Sequence, residues 1–109
     1  MADITILIIE SDKLFVESEC KWLQSAGYKT EHVFTGEEAV KIVESKKNEI
    51  DLILLEVNSE SIINSIYTAQ EILSKNHFPI LFVVSSSEKE IIEKTKSIDV
   101  LVDAFSDAF

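Results

Sequence analysis

Arginine is missing altogether. The ten basic residues of this 109-residue chain are all lysine, set against twenty Asp and Glu, and the net charge is −10. A surface that grips a nucleic-acid backbone needs clustered basic charge and favours planar guanidinium forks. The chain offers neither, so nucleic acid is not an expected partner. Cysteine is nearly absent too. Cys20 stands alone, which excludes an internal disulfide and leaves no second thiol for a metal site. One proline and two glycines among 46% hydrophobic and 28% charged residues exclude collagen-like, linker-rich and disordered classes. The longest apolar run, Phe78–Val84, is seven residues long and contains Pro79. A bilayer span needs about 20. No basic stretch precedes the first apolar residues, as it would in a secretory signal. These absences lead us to expect one cytoplasmic domain over residues 1–109, large enough to bury its own core, with no membrane partner.

What is present is a repeating order of elements. Ile4–Ile9 is a run of aliphatic residues that reads as a strand covered on both faces. Leu14, Phe15, Trp22 and Leu23 recur at helical spacing up to Gly27, a suitable C-terminal cap. Tyr28–Phe34 alternates weakly and reads as a more exposed strand. Thr35-Gly36-Glu37-Glu38 has the pattern of a capping box, opening a helix with Ala39, Val40 and Val43 inside. Asp51–Val57 is the next buried strand. Ile62, Ile63, Ile66, Ala69, Ile72 and Leu73 form a helical stripe, and Pro79 precedes the strand Ile80–Val84. Ser87 and Glu90 offer a second capping box before a helix with Ile91, Ile92 and Thr95 inside, and Val100–Val102 reads as a last short strand. Strands alternating with helices predict an α/β fold with a parallel sheet and right-handed crossovers. Seven residues follow Val102, too few for a full closing helix.

In open parallel sheets, sites form beyond the carboxyl ends of the strands. Glu10 and Asp12 follow the first strand, and Glu56 falls near the end of the third. Clustered carboxylates either hold a divalent cation or shift one another's protonation, although loop acids are common in a chain with twenty of them.

The segments ILIIESDKLFVES, AGYKTEHVFTGEEAV, DLILLEV, TAQEIL, FPILFVVSS and VLVDAF together resemble a response-regulator receiver domain of two-component signalling, nearest to receivers associated with sensory histidine kinases. The resemblance covers nearly the whole chain. It implies a flavodoxin-like three-layer sandwich with a five-stranded parallel sheet in the order 2-1-3-4-5, here with the C-terminal helix absent or rudimentary. It also implies a site chemistry. An aspartate ending the third strand takes a phosphoryl group from a kinase histidine. A magnesium ion lies between that aspartate and an acidic pair ending the first strand. A Ser/Thr ending the fourth strand and a Lys ending the fifth grip the phosphoryl oxygens. Carboxylate, metal and donors each answer a need of that transfer.

At these positions the chain departs from the pattern. Glu56 stands at the phosphoacceptor position. Glu10 keeps one acid of the pair, but Ser11 replaces the second, followed by Asp12. Val84 stands at the Ser/Thr switch, with Ser85 one residue late, and Val100 at the aromatic switch. Asp103 replaces the clamping Lys, an anion where a cation is required. Glu60, Ile62 and Ser65 stand where that subgroup carries glycines. Glu reaches about 1.5 Å further than Asp, a large misplacement for in-line chemistry, and Val84 has no side-chain donor.

The expectation is therefore a degenerate receiver: a scaffold without catalytic residues, not an enzyme. It would have no obligatory cofactor or metal, although Glu10, Asp12 and Glu56 are candidates for a weak Mg²⁺ site, with Lys13 able to neutralise the cleft instead. It would act as a phosphorylation-independent interaction module in phosphorelay signalling, with a histidine kinase, another receiver or an output domain as partner, and would form a homodimer. The alternatives are an atypical but active phosphoacceptor using Glu56 and Asp12, and a structural dimerisation module. His32 and His77 read as surface residues, Ser85-Ser86-Ser87 as a cap, and Cys20 as a structural thiol.

Overall fold

The computed structural model describes residues 3–57, 62–84 and 101–104. Five strands, β1 (Thr5–Ile9), β2 (Lys29–Val33), β3 (Leu52–Val57), β4 (Ile80–Val84) and β5 (Leu101–Ala104), alternate with helices α1 (Lys13–Ser25), α2 (Gly36–Lys46) and α3 (Ile62–Lys75). The strands form one sheet in the order β2-β1-β3-β4-β5, and every pairing is parallel. This is the doubly wound order expected from the sequence.

Side chains alternate between the two faces of a strand, so each strand feeds two cores. Leu7, Ile9, Ile53, Leu55, Ile80 and Phe82 pack with Ala39 and Val43 of α2 and Ala69 and Ile72 of α3. Ile6, Ile8, Leu54 and Val83 pack with Val16 and Leu23 of α1. The sheet is thus a middle layer, with α1 on one side and α2 and α3 on the other.

Local chemistry sets the helix ends. Asp12 is the N-cap of α1, its Oδ1 accepting from the backbone N–H groups of Leu14 at 3.0 Å and Phe15 at 3.2 Å. At the other end Tyr28 N–H donates to Leu23 O and Gly27 N–H to Gln24 O. This Schellman arrangement needs a left-handed residue, and Gly27 supplies it with φ +99°. The capping box at Thr35 and Glu38 forms as read, both reciprocal bonds at 3.2 Å. A Cβ at Gly36 would strike the Thr68 side chain, so this glycine lets α2 approach α3.

The stripe read for α1 is corrected. Leu14 is 78% exposed and Trp22 61% exposed, and the inward side carries Val16, Glu19 and Leu23. A buried glutamate takes one of the places assigned to an aromatic. The last strand runs over Leu101–Ala104 rather than Val100–Val102. The expected helix containing Ile91 and Ile92, the serine loop and the rudimentary C-terminal helix lie outside the described residues.

Candidate functional site

Strand register lines up the carboxyl-end residues. Ile9 pairs with Leu55, Glu56 with Val83, and Val83 with Asp103. Glu10, one residue past Ile9, thus lies in the same row as Glu56, Val83 and Asp103. Glu56 shares the parity of Leu52 and Leu54, whose face is the one covered by α1. On α1, Glu19 falls between Val16 and Leu23, three residues after one and four before the other, and so faces the sheet. The two glutamate side chains meet there and hydrogen-bond to each other.

Glu19 is only 7% exposed. Its Oε1 and the Oε1 of Glu56 are both buried with no other hydrogen-bonding partner. Two buried carboxylates in contact cannot both stay ionised at little cost. Burial pushes the Glu56 carboxyl up to about 9, helped by the charge of Glu19, the hydrogen bond between them and the charge of Glu10. Burial likewise raises Glu19, while its hydrogen bond with Glu56 pulls it partly back. At neutral pH the Glu56 O–H donates to the Glu19 carboxylate. Glu10 is also raised by burial. The Asp12 N–H donates to its Oε1 at 3.1 Å and works against this, the Asp12 charge adds to it, and His32 opposes it.

The other candidate residues are placed differently from one another. Asp12 is committed to capping α1. Ser11 is exposed at the mouth of a cleft of about 280 Å³, lined also by Glu10, Thr35, Glu56, Asn64 and Ser65. The buried Ser65 hydroxyl donates to the Glu56 carbonyl oxygen at 3.4 Å. Val84 ends β4, and its backbone pairs with Val57 and Ala104. Asp103 holds a register position on β5. Ser85 and Val100 lie outside the described residues. Among the described residues no group of three or more His, Cys, Asp or Glu could hold a metal ion, so Glu10, Asp12 and Glu56 do not converge as one site. The donors present do not suit the divalent cation that the resemblance implies: one carboxyl is protonated, one is a helix cap, and a serine replaces the third.

Two readings of single residues change. His32 is half-buried, its Nε2 donating to the Glu10 carbonyl oxygen at 2.9 Å, its ring edge-on to Phe34 at 4.3 Å. Glu19 was not among the candidates at all. Cys20 packs half-buried beside the α1 core, consistent with a structural thiol. Among the described residues no helix is long and apolar enough to cross a membrane.

No family model matches the chain. No curated protein matches it either. Solved structures do. The N-terminal domain of a response regulator/sensory box/GGDEF three-domain protein from Carboxydothermus hydrogenoformans superposes with a TM-score of 0.75 at 28% identity, over 94% of this chain and 79% of that one. The Vibrio cholerae chemotaxis protein CheY4 gives 0.82 at 20% identity, over 99% and 89%. The signal receiver domain of a modulated diguanylate cyclase from Desulfovibrio desulfuricans gives 0.80 at 24% identity, over 98% and 83%. The chain has the flavodoxin-like parallel α/β fold of these proteins. It is a receiver domain of the response-regulator type.

Proposed function

We propose that this receiver acts through protein contact in two-component signalling without accepting a phosphoryl group. The observation that carries the reading is the Glu19–Glu56 pair. An acceptor carboxylate must be ionised and must reach in line toward phosphorus. Glu56 is protonated at neutral pH and turned to a partner on α1. Ser11, Val84 and Asp103 add to this, since none supplies the second metal acid, the hydroxyl or the ammonium that the chemistry requires. The reading also holds the domain not to be an enzyme and to need no metal.

The partners that fit are those implied by the structural neighbours: a histidine kinase, another receiver or an output domain. An apolar groove of about 500 Å³ between α1 and the sheet, lined by Ile4, Trp22, Tyr28, Leu52 and Leu81 among others, supports a contact role. The atypical-acceptor alternative loses support from Asp12, whose carboxylate is used at the start of α1. The test is incubation with a small phosphodonor and Mg²⁺, followed by intact-mass measurement. An unchanged mass agrees with the proposal, and a phosphoryl adduct on Glu56 overturns it.

A further inference from the structure

The buried carboxyl pair lies where a helix, a strand and a cavity meet. Glu19 projects from the inward side of α1, Glu56 ends the α1 face of β3, and Glu19 also lines the apolar groove with Ile6, Trp22, Leu23, Leu54 and Val83. Both carboxyls have an oxygen sealed from water with no N–H or O–H donor supplied by the rest of the described chain. What joins α1 to β3 at this point is therefore the proton between the two acids.

We propose that Glu19 and Glu56 form a proton-operated latch between α1 and β3, closed while the pair holds its shared proton and released when a base in solution removes it. Once the proton leaves, two buried carboxylates face each other in a poorly polarisable setting. α1 then moves off the sheet far enough to hydrate them, and the groove that Glu19 lines opens with it. The groups around the pair are Glu10 at the end of β1, which favours holding the proton, and His32 on β2, which opposes Glu10 and Glu19 when charged. Val83 on β4 carries no charge, and Asp103 on β5 occupies the adjoining register position. The latch rests on the contact between the two glutamates and not on the loss of phosphoryl transfer, so either idea can fail without the other.

Trp22 is the single tryptophan of the chain and lines the same groove, which makes its emission a direct reporter. The experiment titrates the intact wild-type chain, Glu56→Gln and Glu19→Gln, following Trp22 emission with far-ultraviolet circular dichroism alongside. The latch predicts a one-proton emission change in the wild type near pH 9, the value toward which Glu56 is pushed, with helical signal retained. Glu56→Gln abolishes it. Glu19→Gln removes the partner charge and lowers the midpoint by at least about one pH unit. Because thiols and phenols also titrate in the alkaline range, Cys20→Ser and Tyr28→Phe are run in parallel and should keep the transition. A flat wild-type profile overturns the latch, as does a transition that survives in Glu56→Gln or vanishes in Cys20→Ser or Tyr28→Phe. A midpoint displaced by millimolar Mg²⁺ would mean that a cation rather than a proton closes the pair, and would overturn it equally.

Discussion

Replacing Glu56 by Gln should flatten the dependence of stability on pH, and the sign follows from the burial of the group. An ordinary glutamate ionises near 4.5, and in the fold Glu56 does so at about 9. Between those values the folded chain holds a proton that the unfolded chain has released. Stability from this group is therefore fully present below about pH 4.5 and is lost as pH rises toward 9, by at most about 1.4 kcal/mol per pH unit. From pH 5 to 8 the ceiling is about 4 kcal/mol, and relaxation with water entry around the pair should bring it nearer 2 kcal/mol. Glutamine keeps the shape and the hydrogen-bonding capacity and carries no titrating proton. Urea unfolding of wild type and Glu56→Gln at pH 5, 6, 7 and 8 isolates the effect, because the other carboxylates and the overall charge are shared. The variant should gain on the wild type by about 2–4 kcal/mol across that range. Parallel stability profiles would refute the buried, proton-sharing pair.

Three further expectations concern the scaffold and the site. Gly36→Ala should cost about 1–3 kcal/mol in urea unfolding, because the new methyl enters the space of the Thr68 side chain; an unchanged midpoint would mean that α2 and α3 part freely. The apolar groove should drive self-association that strengthens with salt, since each copy carries −10 and added ions screen the repulsion; a monomer by sedimentation at every salt concentration, with no binding of a hydrophobic dye, would contradict it. Glu56→Asp alone should not produce a phosphoacceptor, whereas combining it with Ser11→Asp, Val84→Thr and Asp103→Lys should, as read by acyl-phosphate formation with a small phosphodonor. Full labelling of the single variant would show that the other three losses matter little.

The sheet and its order could be read from the sequence because aliphatic runs, caps and turns agreed at every level. Ile4–Ile9 and Ile80–Val84 carry their burial in composition, and Thr35 with Glu38 announces the start of α2. Glu56, Glu10 and Ser11 were also identifiable, since they fall at the ends of recognisable strands. Glu19 was not. A search for apolar stripes passes over a charged residue, and Leu14, Phe15 and Trp22 supplied a competing pattern that lies on other sides of α1. The signal was present in the spacing Val16, Glu19, Leu23, where helical geometry places an acid in line with two core residues. Asp12 misled in the opposite direction. A carboxylate beside a strand end reads equally well as a metal ligand or as an N-cap, and only the backbone N–H groups of Leu14 and Phe15 decide between them. His32 read as a surface residue because a weakly alternating edge strand does not disclose which side chains bend back to a neighbouring carbonyl.

The most direct test of the central claim is chemical. The wild-type chain is incubated with acetyl phosphate and Mg²⁺ at neutral pH beside an active receiver as control, and both are examined by intact mass and by hydroxylamine trapping of acyl phosphate. The account predicts a labelled control and an unmodified chain. An acyl phosphate on Glu56 would contradict it.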